Sequence, residues 1–135
     1  MTAVHFEIYA PRIIKSLKLV SGNGVNYKFK HDDRSPLLKL LRLKETCDEI
    51  LIVKDDFITD TSFSNVVFEK NGAFFTPRSY LLNGTKRQYL LEKNRITEKE
   101  IRVNEIHSYD RIFLINAMLD VADWEGGIPC TQIFT

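Results

Sequence analysis

Cysteine is scarce in this 135-residue sequence, and its two copies, Cys47 and Cys130, lie far apart without metal-ligand spacing. Histidine is scarce too, and His5, His31 and His107 show no ligand spacing, so no metal centre is expected. A disulfide is open but poorly motivated, because Cys47 borders the apolar run Ile50-Leu51-Ile52-Val53 and reads as a small packed residue. A reducing cytoplasm is therefore the expected compartment. No apolar run approaches the ~20 residues that a membrane-spanning helix needs. Met1 to Glu7 lacks a basic region followed by an apolar core, so no signal peptide is expected. Neither sign of charge dominates: the formal net charge is +1, with Lys and Arg scattered among apolar residues. That balance gives no electrostatic case for nucleic acid or an acidic membrane. Repeats, linkers and low-complexity segments are absent.

What is present is an ordinary globular composition, 44% hydrophobic and 27% charged, of a length that suits one domain spanning 1–135. Arg12 to Val20 reads as a strand, alternating from Ile14 to Leu19. The turn cluster Ser21-Gly22-Asn23-Gly24 joins it to a second alternating run, Val25 to Lys30, and predicts a hairpin. In that run Asn26, Lys28 and Lys30 share the polar face. Ser35-Pro36 has the chemistry of a helix start, and Leu37, Leu38, Leu40, Leu41 and Leu43 give it a broad apolar face through about Glu45.

Asp48 to Val53 predicts a strand whose apolar end suggests burial, with Asp55-Asp56 as the turn into Phe57-Ile58-Thr59. Val66-Val67-Phe68 and Ala73-Phe74-Phe75-Thr76 flank Asn71-Gly72, a strong hairpin signal, and Pro77 ends the second strand. Thr85 to Gln88 has capping-box spacing and predicts a second helix through Leu90-Leu91 toward a C-cap at Asn94. Ile101 and Val103 mark a short strand, and Arg111 to Ile115 a buried one. The tail from Asp123 is expected to be loop with a terminal strand at Gln132-Ile133-Phe134. The sum is a strand-rich α+β domain with two main helices.

Two polar segments stand out against this background. Thr59-Asp60-Thr61-Ser62-Phe63-Ser64-Asn65 places an acid, hydroxyls and an amide between apolar runs. Leu81-Leu82-Asn83-Gly84-Thr85-Lys86-Arg87 places glycine and threonine at a helix start, where outward N–H groups attract an anion. Each has an ordinary explanation: Asp60 as a turn former, Thr85 as part of a helix cap, Lys30 as a solvated charge.

Taken together and in this order, Lys30, the Asp60 segment and the Gly84 segment resemble the class IV aminotransferases, pyridoxal-phosphate enzymes of fold type IV. That family includes the branched-chain and D-amino-acid aminotransferases and aminodeoxychorismate lyase. The resemblance runs from about Arg12 to Trp124 and implies the C-terminal, cofactor-bearing domain of the D-amino-acid aminotransferase-like fold. It implies pyridoxal 5'-phosphate as cofactor and amino-group transfer between an amino acid and a 2-oxo acid, with the lyase reaction as the enzymatic alternative.

Lys30 is the nearest match to the lysine that carries the cofactor, and Lys28, on the same face, is its competitor. Such an amine must be neutral part of the time, which partial burial favours. Asp60 matches a glutamate that faces the pyridine nitrogen, within a pattern close to Thr-Glu-x-Ser-x-Ser-Asn, and keeps the charge on a side chain one methylene shorter. Thr85 and Lys86 match phosphate-binding positions in a motif close to Gly-Ile-Thr-Arg. Asn116 and Ala117 fall where the family has Ser/Thr pairs near the phosphate. No role is assigned to His31, Arg34 or His107. Family members also carry an N-terminal subdomain that supplies a phosphate-binding arginine, and nothing between Met1 and Pro11 replaces it. The chain therefore reads as the second half of such an enzyme, completed by a homodimer or by a chain bearing the missing part, or else as a non-catalytic remnant.

Overall fold

Runs of β-branched and aromatic residues, punctuated by tight turns, build two sheets in the computed structural model, which describes residues 14–22, 39–116 and 127–135. The first sheet contains β1 (Leu17–Ser21), β2 (Glu49–Lys54), β3 (Phe57–Ile58) and β9 (Ile133–Phe134), in the order β3-β2-β1-β9. The second contains β4 (Asn65–Lys70), β5 (Ala73–Pro77), β6 (Thr97–Lys99), β7 (Arg111–Ile115) and β8 (Ile128–Pro129), in the order β6-β5-β4-β7-β8.

Turn chemistry fixes both hairpins. Asp55 and Asp56 take φ of 53° and 70° between β2 and β3, and Asn71 and Gly72 take 52° and 82° between β4 and β5. Two successive positive-φ residues suit the right-handed twist of the flanking strands, and Asp, Asn and Gly tolerate that conformation best. β1 runs parallel to both of its described neighbours, pairing Leu17 with Glu49 on one side and with Ile133 on the other. The expected partner strand, Val25 to Lys30, lies outside the described residues, as does the expected helix start at Ser35-Pro36.

Strand alternation sorts the apolar side chains into three layers of packing. Leu17 and Leu51 from the first sheet meet Val66, Phe68 and Ile112 from the second, with Ile101, Ile106 and Tyr109, in one shared core. The opposite face of β2 turns Ile50 and Ile52 toward Val20 and Leu40. The opposite face of β4 and β7 turns Val67, Phe113 and Ile115 toward Leu90. β2, β4 and β7 are thus covered on two sides, which is why they read as continuous apolar runs rather than alternating ones. Cys47 and Cys130 are free and buried, and burial pushes the Cys130 thiol up to about 12, which leaves it inert.

Four expectations are corrected. Among the described residues, the only α-helix longer than a single turn is α1 (Thr85–Glu92). The leucine-rich segment is helical at 39–41, tightens to a 3₁₀ turn at Arg42–Lys44 and stops at Glu45, whose φ of 55° breaks the helix. The Thr85/Gln88 capping box does not form: Gly84 is the N-cap, Thr85 the first helical residue, and the Gln88 amide donates to Asn83 O at 3.0 Å. The C-terminus lies one residue before the expected cap, with Lys93 as C-cap and Asn94, at φ 56°, in the left-handed position after it. The Asn94 and Arg95 N–H groups return to Leu91 O and Leu90 O, closing a Schellman motif.

In place of a strand at Ile101 and Val103 there is a bridge between Arg102 and Phe57, then a 3₁₀ turn at Val103–Ser108. Glu105 accepts the Arg102 N–H at 2.9 Å and the Ser108 hydroxyl donates to Glu105 O at 2.6 Å, so side chains capture this backbone locally. No helix among the described residues is long and apolar enough to cross a membrane.

Candidate functional site

β3 runs into a polar turn that is buried almost throughout, with Thr59, Asp60, Thr61, Ser62, Ser64 and Asn65 each at most 5% exposed. Burial on this scale demands partners for every polar group, and the turn supplies them mostly from within. Ile52 N–H donates to Asp60 O at 2.8 Å and the Thr59 hydroxyl donates to Ile52 O at 2.7 Å, pinning the start of the turn to β2. The Thr61 hydroxyl oxygen accepts the N–H of Ser64 at 3.0 Å and lies 2.8 Å from the Ser64 hydroxyl. From beneath, the fully buried Glu49 carboxylate accepts the Ser62 N–H at 3.1 Å. Just past the end of β7, Asn116 Nδ2 donates to Phe63 O at 3.3 Å. The hydroxyls of Thr59, Thr61 and Ser64 therefore serve to hold the shape of the turn.

The Asp60 carboxylate is enclosed by this turn and fully buried. Its Oδ2 accepts the N–H groups of Leu81 and Leu82, each at 3.0 Å, and Asn65 Nδ2 at 3.3 Å, whereas its Oδ1 has a longer contact of 3.4 Å to Leu81 N. Burial pushes the carboxyl up to about 6, against the opposing pull of the Leu82 and Leu81 N–H groups and the Arg87 charge. Desolvation outweighs those donors, so a cation placed beside Asp60 would be bound favourably.

Asn65 ties this acid to the start of α1. Its amide nitrogen also donates to Leu82 O at 2.7 Å, and its Oδ1 accepts the Gly84 N–H at 3.2 Å. A Cβ at Gly84 would overlap Asn65 Oδ1. Gly84→Ala is therefore expected to destabilise the protein by ~1–3 kcal/mol through this overlap. Backbone strain plays no part, since φ at Gly84 is −67°. A shift in the denaturation midpoint measures the effect, and an unchanged midpoint would mean that the Asn65–Gly84 contact does not form in solution.

The residues expected to form a site are partly brought together. Asp60 and Thr85 meet through Asn65 and Gly84, and Asn116 joins them through Phe63. Thr85 is exposed on the first turn of α1, where N–H groups lack intrahelical partners. The Lys86 ammonium lies over the Tyr89 ring, 6.0 Å from its centroid. Lys30, Lys28 and Ala117 lie outside the described residues, as do His5, His31 and Arg34. His107 Nε2 sits 3.3 Å from Ile133 O, a structural contact.

Two further residues escaped the sequence reading. Asn65 ended a recognisable motif but carried no assigned role. Arg87 is a buried guanidinium that donates to Pro77 O at 3.1 Å, pairs with Glu98 and stacks on Tyr80 at 4.4 Å. An arginine near a helix start reads as solvated, and its partner Glu98 stands eleven residues away, outside the helix spacing that would have flagged the pair. The donor set fits a phosphorylated pyridine of the kind the resemblance implies: a buried acid for the ring nitrogen, and a helix N-terminus for the phosphate.

Comparison with known proteins shows the family. The class IV amino-transferase family profile matches residues 3–124. An uncharacterised protein of Haemophilus influenzae is 34% identical over 117 residues, covering 87% of this chain and 62% of that one. The crystal structure of a putative 4-amino-4-deoxychorismate lyase from Haemophilus somnus 129pt is 39% identical with a TM-score of 0.75, over 80% of this chain and 56% of that one. A branched-chain amino acid aminotransferase from T.th., complexed with N-(5'-phosphopyridoxyl)-L-glutamate, shares the fold at 13% identity and a TM-score of 0.68, over 92% of this chain and 45% of that one. The chain thus spans between about half and three-fifths of the length of these relatives. With the matched profile covering most of its length, the chain belongs to the class IV aminotransferase family.

Proposed function

We propose that this chain is the cofactor-bearing part of a pyridoxal-phosphate-dependent enzyme that moves an amino group between an amino acid and a 2-oxo acid. The observation that carries this reading is the buried Asp60 carboxylate held by the same Asn65 amide that holds the start of α1. Asp60 would face the ring nitrogen and keep it protonated, the first turn of α1 from Thr85 would hold the phosphate, and Asn116 would brace the turn between them. Lys30 Nζ would carry the cofactor and then move the proton at the substrate carbon. The chemistry supplied by pyridoxal phosphate when bound is an electron sink for the carbon that bears the amine. Lys86, drawn toward Tyr89, would contribute its backbone rather than its charge.

A second reading is the lyase reaction, in which the same groups promote elimination of pyruvate. Its specific support is the 39% identity to the Haemophilus somnus protein, against 13% to the branched-chain enzyme. A reducing, cytoplasmic setting suits two buried free thiols. Small amino and oxo acids are the proposed ligands, and a homodimer or a chain bearing the N-terminal subdomain the proposed partner.

Two assays on the purified chain with pyridoxal phosphate separate the readings. Amino-group transfer from a panel of L- and D-amino acids to 2-oxoglutarate or pyruvate supports the first. Release of pyruvate from 4-amino-4-deoxychorismate without transfer supports the second. Cofactor binding with neither activity, persisting after a partner chain is added, would leave only the non-catalytic remnant.

A further inference from the structure

Asn65 is the first residue of β4, and its backbone is locked opposite Ile115 of β7. Its side chain is 5% exposed and directs three contacts to one small region: Asp60 Oδ2 at 3.3 Å, Leu82 O at 2.7 Å and Gly84 N at 3.2 Å. The amide thus faces the acid with its donor and the helix start with its acceptor. We infer that Asn65 is a positioning residue that joins the Asp60 carboxylate and the first turn of α1 into one unit, fixing the distance between the ring-nitrogen end and the phosphate end of the site.

The chemistry of the position favours asparagine. Aspartate would keep the acceptor for Gly84 but set a second carboxylate against Asp60, and alanine would cut both ties. Glutamine, one methylene longer, would carry its amide past the positions that now meet Asp60 Oδ2, Leu82 O and Gly84 N. A change in charge on Asp60 should polarise the Asn65 amide, and through it the Gly84 N–H, because hydrogen bonds in series strengthen or weaken together. The other charges facing this network are Arg87 on α1, its partner Glu98, and Glu49 of β2 beneath Ser62.

The assignment of the two ends rests on the cofactor reading above, whereas the coupling itself does not. Amide proton–nitrogen NMR spectra of the full chain, recorded as pH is raised from 4 to 8 through the Asp60 midpoint near 6, test the coupling without any ligand. The expected result is that Leu81, Leu82 and Gly84 amides all shift with one common midpoint. In Asn65→Ala, Leu81 and Leu82 should still follow Asp60, since they bond to it directly, and Gly84 should stop following. Asn65→Ser, which retains a short hydroxyl, provides a second folded variant with the same expected loss at Gly84. A Gly84 amide that ignores the Asp60 midpoint in the parent, or that keeps following it in either variant, overturns the inference. The ligand arm compares pyridoxal phosphate with pyridoxal. Asn65→Ala should weaken the phosphorylated form about tenfold more than the unphosphorylated one, the equivalent of one misplaced hydrogen bond. An equal loss for both ligands would reduce Asn65 to a fold-stabilising residue. If the parent binds neither ligand, the cofactor reading fails while the amide result still decides the coupling.

Discussion

Asp60→Asn is expected to make the protein more stable at neutral pH, by up to about 3 kcal/mol, and to remove a pH dependence that the parent carries between about pH 4 and pH 6. Burial raises the Asp60 carboxyl from 3.8 to about 6. Below 3.8 the group is neutral in folded and unfolded chains alike, and its contribution is fully favourable. As pH rises, the unfolded chain loses the proton first, so folding must hold a proton or bury a charge. The stability is lost through the folded midpoint near 6, and the full cost remains above it.

Asparagine has the same shape and can offer one carbonyl oxygen to Leu81, Leu82 and Asn65, the three donors that now converge on Oδ2. It carries no charge to desolvate. Ion pairs that do not involve Asp60, Glu69 with Arg111 and Glu98 with Arg87, are common to variant and parent. The difference between variant and parent cancels them. Urea midpoints at several pH values from 4 to 8 should show that difference growing as pH rises. A difference that stays flat would mean Asp60 is not held in a desolvated state. The same variant should lower any turnover with pyridoxal phosphate, because the ring nitrogen loses its acid. A residue whose removal stabilises the fold and harms the reaction is kept for function.

Much of the fold was legible because local chemistry agreed with the tertiary result. Asp55-Asp56 and Asn71-Gly72 sit at positive φ, as their positions between apolar runs required, and β2, β4 and β7 follow their β-branched and aromatic runs. What was illegible lacked a local signal. β6 is three exposed polar residues, Thr97 to Lys99, and exists only because β5 offers an edge to pair with. β8 is two residues long. Ile101 and Val103 carry strand-like side chains, yet Glu105 and Ser108 bend the following backbone into a 3₁₀ turn.

The candidate site divides the same way. Asp60 and the Gly84-Thr85 helix start stood out as polar segments between apolar runs. The contacts that unite them, Asp60 to Leu81 and Leu82 and Asn65 to Gly84, join residues about twenty positions apart, beyond any local pattern. Glu49 carries no local signal for its role: the polar turn after β3 folds back over it, and its buried carboxylate accepts the Ser62 N–H.

Lys30→Ala has the largest expected effect of all, complete loss of covalent cofactor attachment, because only a lysine amine at that place can form the bond. The assignment comes from the order of the three family segments, since Lys30 itself lies outside the described residues. Lys28→Ala should leave attachment intact. Loss in Lys28→Ala with retention in Lys30→Ala would move the role two residues along the strand pattern, to the same face.

The central claim, that this chain carries pyridoxal phosphate on Lys30 in a site completed by Asp60 and the start of α1, is tested most directly by chemical trapping. The purified chain is incubated with pyridoxal phosphate, reduced with borohydride and mapped by peptide mass spectrometry. The expected result is one dominant phosphopyridoxyl label, on Lys30, that disappears in Lys30→Ala and weakens in Asp60→Ala. Label spread over many lysines, unchanged by either substitution, would contradict it.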